Sequence, residues 1–183
     1  MGHMLNDRVC SPLSMNSFAG DLGVSPKTVK SWLDIFCENY FIFKVPPYHK
    51  SLHRALRKES KYYLWDWSVL EEPGSRFENL IASHLLKFCN YVSDTLGFSA
   101  RLFYIRDTDK REVDFLIEWE NKPWLIVGSK LKKGGKLLPL RYFGDRLNIA
   151  KRFMVVMEEG VDYIEHNSKV RVISANRFLN AFV

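Results

Sequence analysis

Trp124-Leu125-Ile126-Val127 is apolar on both faces, and a strand with no polar side belongs in the middle of a sheet covered on both sides. That run commits the chain to a layered fold in which helices flank a sheet. Its neighbours supply the other parts. Val113 to Trp119 and Leu102 to Ile105 read as strands joined through a polar turn at 107–111, which suits a hairpin. Phe77, Leu80, Ile81, His84, Leu85 and Phe88 recur at helical spacing before them. A helix over Leu137 to Leu147, with Pro139 tolerable near its start, precedes strands at Phe153–Met157 and Val170–Ile173. Arg177 to Phe182 is expected to close the chain as a helix. The class is α/β (α+β): a mixed sheet flanked by helices.

The N-terminal part reads differently. Ser14 or Asn16 can cap a short helix carrying Phe18, Ala19 and Leu22, which Gly23 ends. Ser25 with Pro26 then opens a second helix whose Val29, Trp32, Leu33 and Phe36 share a face. Two strands, Phe41–Val45 and Lys61–Trp65, complete a winged helix. Lys27, Thr28, Lys30 and Ser31 lie outward on the second helix and are of the types that reach phosphates and base edges in a major groove. Between the strands runs a basic arm with His49, Lys50, His53, Arg54, Arg57, Lys58 and Lys61, a solvated wing, a partner-facing surface or a source of phosphate contacts. Residues 1–13 are expected to be a cloning scar and lead-in, 14–70 the winged helix, 71–75 a Pro/Gly linker and 76–183 the sheet domain. On that reading native sequence starts near Leu5, and the chain is a fragment of a longer protein.

Charge and cysteines narrow the function classes. The net charge of +6, from 27 Lys and Arg against 21 Asp and Glu, admits a polyanionic partner such as double-stranded DNA. Apolar runs fall far short of the ~20 residues of a membrane span, so no membrane partner is expected. Cys10, Cys37 and Cys89 lack metal-ligand spacing and pair into no disulfide framework, which reads as buried or neutral thiols in a cytoplasmic setting. Gly134-Gly135-Lys136 lacks the rest of a P-loop, and no nucleophile elbow or zinc-binding histidine pair occurs. No cofactor and no metal ligand set are expected. His84, on a helix lined by Leu and Phe, reads as a core histidine.

The informative polar set is Glu78, Asp114 and Lys130. A metal-dependent phosphodiesterase needs carboxylates that converge on Mg²⁺, with a lysine to orient the attacking water. Strict alternation along 113–119 puts Asp114 with Leu116 and Glu118, away from Val113, Phe115 and Ile117, while Gly128 and Lys130 share a face of the next strand.

Three runs, SRFENLIASHLLKF, REVDFLIEWENKPWLIVGSKLKK and LRYFGDRLNI, resemble the C-terminal domain of unknown function in a family of prokaryotic AAA-type ATPases. The opening SFAGDLGVSPKTVKSWLDIFCENYFIFKVPPY is similar to that family's winged-helix stretch. The resemblance implies an upstream ATPase domain and a restriction-endonuclease-like fold for 76–183. It matches Glu78, Asp114 and Lys130 to the nuclease pattern, but Gly128-Ser129-Lys130 stands where relatives carry Glu-Val-Lys, so one acid is missing. Glu118 lies too far along its strand, roughly 13 Å, to replace it. The expectation is a non-catalytic module that binds DNA or docks a partner. Lys27, Thr28, Lys30, Ser31, Lys50, Arg54, Arg57 and Lys58 would carry the DNA contacts, and the ATPase domain or a second copy is the partner. The alternatives are a Mg-dependent nuclease and a purely structural interaction domain.

Overall fold

A computed structural model describes residues 5–48 and 59–182. Helix α1 (Met15–Leu22) is capped by the Ser14 hydroxyl, which accepts from Ser17 N, and ends at Gly23, whose φ of 66° favours a residue without Cβ. Helix α2 (Pro26–Glu38) starts at Ser25, whose Oγ accepts from Thr28 N at 3.1 Å, and buries Val29 and Leu33. Strands β1 (Ile42–Val45) and β2 (Lys61–Leu64) pair antiparallel with Ile42 opposite Leu64. Leu5, Val9, Cys10 and Leu13 are buried in the same core, so the described part of the expected lead-in packs inside the fold.

Helix α3 (Pro73–Leu96) begins inside the stretch expected to be a linker. Pro73 suits the first helical position because its missing N–H would have no partner there, and Glu72 caps the helix by accepting from Gly74 N at 2.9 Å and from Ser75 N. Proline, glycine and serine here start a helix and do not loosen the chain.

The sheet domain continues with β3 (Ala100–Arg106), β4 (Glu112–Trp119), β5 (Lys122–Lys130), α4 (Leu138–Arg146), β6 (Lys151–Val156), β7 (Asp162–Glu165), β8 (Val170–Ser174) and α5 (Ala175–Leu179). Its six strands lie in the order β3-β4-β5-β6-β8-β7. The first three form an antiparallel meander, β5, β6 and β8 run parallel, and β7 returns antiparallel at the far edge. Strand β7, with its exposed Asp-Tyr-Ile pattern, has no counterpart in the sequence reading.

Phe115, Ile117, Leu125 and Val127 pack with α3 and the N-terminal part on one face, while Leu116, Ile126 and Met154 pack with Leu140 and Phe143 of α4 on the other. The two parts of the chain share one core. Tyr63 of β2 meets Phe115 at a ring-centroid distance of 5.8 Å. Past β1, Tyr104 N donates to Pro46 O at 3.1 Å and Tyr48 N to Tyr104 O at 2.7 Å, which covers the open edge of β3. Asn79 of α3, fully buried, accepts from Leu64 N at 2.8 Å and donates to Leu64 O at 2.7 Å. On that edge of β2, Cys10 N and Leu13 N donate to Tyr62 O and Ser60 O, and the Asn79 side chain continues the pairing at Leu64.

Candidate functional site

Strict alternation fails at Asp114. Phe103 pairs with Leu116 and Ile105 with Val113, so β4 has two residues, Asp114 and Phe115, opposite the single Tyr104. This β-bulge moves Val113 to the α4 face beside Leu116 and leaves Asp114 with Phe115 on the α3 side. The β4–β5 ladder ends at Phe115 opposite Val127, and the Asp114 carboxylate takes over: Oδ2 accepts from Ser129 N at 2.7 Å and from Ser129 Oγ at 3.0 Å.

The bulge corrects the expected trio. Glu78 and Asp114 are gathered on one side, close enough for Asp114 to act on the Glu78 carboxyl. Lys130 is not with them: it is exposed and belongs to the α4 face with Gly128, where an added Cβ would lie 3.0 Å from Met154 Cε and 3.5 Å from Leu140 Cδ1. The β5 positions that face Asp114 are Val127 and Ser129, one residue earlier than the sequence pattern suggested. Neither brings an acid or an amine, so a glutamate at Gly128 would press into Met154 instead of completing the site.

The cation among these carboxylates comes from elsewhere. Lys61, on β2, is 1% exposed, and its Nζ donates to Glu78 Oε1 at 3.1 Å and to Glu112 Oε1 at 2.7 Å. Tyr63 Oη donates to the same Glu78 oxygen at 2.8 Å. Burial works to lower the Lys61 pKa, but Glu78, Asp114 and Glu112 outweigh it and hold the ammonium above its ordinary value. Burial and the Asp114 charge push the Glu78 carboxyl up to about 7, against the pull of Lys61 and Tyr63. Burial likewise raises Tyr63 and the thiols of Cys10, Cys37 and Cys89, as expected for neutral cysteines.

The Glu78 shift has a signed consequence. Unfolded, its carboxyl titrates near ~4.3; folded, it keeps its proton to about 7, so the folded state binds more protons across that window. Glu78 therefore supports the fold most fully below ~4.3, and this support falls as pH rises through 7, by roughly 1.4 kcal/mol per unit of separation. In urea unfolding, Glu78→Gln should gain on the wild type from pH 5 to about pH 7 and level off above it. A constant difference across that range would contradict the assignment.

A divalent ion does not fit this arrangement. An ammonium lies between Glu78 and Glu112, Ser129 holds Asp114, and the Val127 side chain offers no oxygen. Among the described residues no group of three or more His, Cys, Asp or Glu is arranged to hold a metal. Sequence reasoning missed Lys61, Tyr63, Glu112 and Ser129. The only signal for Lys61 was its place at the head of the apolar run Tyr62-Tyr63-Leu64, and it had been grouped with the basic arm.

Of the expected DNA contacts, Lys27, Lys30 and Ser31 are exposed on α2, and Thr28 is half-buried with its Oγ1 2.8 Å from Ser25 Oγ. Lys50, Arg54, Arg57 and Lys58 lie outside the described residues. Among the described residues no helix is long and apolar enough to cross a membrane.

No curated protein and no solved structure matches the chain. Two family models do: a domain of unknown function, DUF8612, over residues 3–72, and a second domain of unknown function, DUF4143, over residues 73–178. Since the second match spans more than half of the chain, the protein belongs to the DUF4143 family.

Proposed function

We propose that this protein is a non-catalytic DNA-binding module: a winged helix joined to a restriction-endonuclease-like domain that has lost its metal site. The observation that carries the loss of catalysis is the Lys61 ammonium, buried between Glu78 and Glu112, together with Val127 and Ser129 facing Asp114. A charge supplied by the chain itself balances the acids, so nothing remains to draw in Mg²⁺ or to polarise water. The helix–meander–helix–strand order of α3 to β6 supports the nuclease-like ancestry. An upstream ATPase domain, as the family resemblance implies, would supply the energy-dependent step, and this module would hold the assembly on its substrate in the cytoplasm.

Binding is assigned to α2. The helix is capped by Ser25, and its first two turns present Lys27, Lys30 and Ser31 to solvent, an arrangement that can bring two ammonium groups to phosphates. Fluorescence anisotropy with a labelled duplex at low salt tests this. Binding should weaken steeply with salt, and Lys27→Glu with Lys30→Glu should lower the affinity at least tenfold while reducing the log–log salt slope by about 2. Failure of the wild type to bind duplex, or indifference to both reversals, would leave only a docking role. Titration with MgCl₂ or MnCl₂ should give no saturable heat, and a one-site isotherm would restore the nuclease reading.

A further inference from the structure

Among the described residues, the α3 face of the sheet is not wholly covered. Helix α3 lies over β3 to β5, and the short α5 with the following turn (Asn180–Phe182) covers part of β6 and β8. Between them is a cavity of about 500 Å³, within the range of small-ligand sites. Its floor is Leu125, Phe153 and Ile173, and its walls are Phe88 of α3 and Phe178 and Phe182 at the C-terminal end. Phe88 and Phe182 meet edge to face at 4.8 Å, which closes one end, and Phe88 lies parallel to Trp124 at 6.0 Å. The interior is suited to a flat apolar body.

The rim has the opposite chemistry. Leu125 pairs with Lys151 and Phe153 with Arg171, so the register sets both cations on the same sheet face as the floor. Lys151 Nζ stands 4.1 Å from the Trp124 ring centroid. Arg171 is held by Asp162 through bonds of 2.8 and 2.9 Å, and Arg177 reaches the same carboxylate at 3.5 Å. Among the described residues, three cations against one acid leave the mouth positive, and Lys151 faces Trp124 with no acid on it. All three are exposed, so an incoming anion need not strip a buried charge of its partner.

We propose that this cavity binds a small amphipathic anion, an aromatic ring bearing a carboxylate or sulfonate. The ring lies on Phe153 and Ile173 between Phe88 and Phe178, and the acid group meets Lys151 and the arginine pair. The site is separate from the Lys61 cluster and does not depend on DNA binding.

Calorimetry of the 183-residue chain with 2-naphthoate, against neutral 2-naphthamide, tests the assignment. Naphthoate should bind one to one at millimolar concentration or better, and the amide about tenfold more weakly. Lys151→Glu should weaken naphthoate about tenfold and leave the amide unchanged, because only the acid group meets that charge. Ala181→Trp, at an exposed position lining the mouth, should abolish binding of both by filling the space, with thermal unfolding confirming the fold. The proposal is overturned by the absence of saturable heat, by equal affinity for acid and amide, or by naphthoate binding that survives Lys151→Glu. The charge variant decides the matter even where the tryptophan variant misfolds.

Discussion

Lys61→Met is expected to destabilise the protein by about 3–5 kcal/mol at pH 7.5, the cost of leaving buried charge uncompensated. The lysine is shielded from water and donates to two carboxylates on different elements, Glu78 of α3 and Glu112 of β4. Methionine fills most of the space, so packing contributes little to the loss and charge contributes most. The penalty should shrink as pH falls below about 7, because Glu78 is already inclined to take a proton. Adding Glu78→Gln to Lys61→Met should recover part of it for the same reason. Urea unfolding with an unchanged denaturant slope reads the effect, and a loss under about 1 kcal/mol would show that the cluster is hydrated and the ammonium replaceable.

The second large effect is expected at Asn79. Replacing it with alanine removes both partners of Leu64 on the edge of β2 that faces α3 and leaves one N–H and one C=O buried without a partner. At ~1–3 kcal/mol per group, the loss should be about 3 kcal/mol. It falls at the joint between the N-terminal part and the sheet domain, so unfolding should lose cooperativity as well, with tryptophan fluorescence and far-ultraviolet circular dichroism no longer superimposing. Asn79→Asp should do no better than alanine at pH 7.5: it can accept from Leu64 N, but its charge is buried without a cation and an oxygen replaces the donor that faced Leu64 O. Coincident transitions in Asn79→Ala would show that the shared core alone couples the parts.

Most of the fold could be read along the chain. Ser25 with Pro26 marked the start of α2, the polar turn at 107–111 marked the β3–β4 hairpin, and the doubly apolar run at 124–127 marked the strand at the middle of the sheet. These signals are local, each resting on caps, turn chemistry or periodicity within a few residues. Strand β7 escaped because it is short, exposed and polar: its place depends on pairing with β8, with Tyr163 opposite Val172, not on a pattern of its own. The Pro-Gly-Ser stretch at 73–75 carried helix-start and linker chemistry together, and the helix that follows decided between them.

The candidate site was half legible. Glu78 and Asp114 were found as carboxylates on a helix and a strand that could converge on one ion, and the structure brings them together. Lys130 was misassigned through one residue: alternation assumes an unbroken ladder, and the bulge at Asp114 and Phe115 turns the acid toward Ser129.

The amino-acid order by itself determined most of the elements and the covered sheet, since these depend on side-chain type and short-range spacing. Only the tertiary structure decided that a lysine from the N-terminal part, the least expected of buried residues, lies among acids of the C-terminal part. The reason is physical: a buried ammonium is tolerable only where oxygens from distant elements already converge, and that convergence exists only in the folded chain.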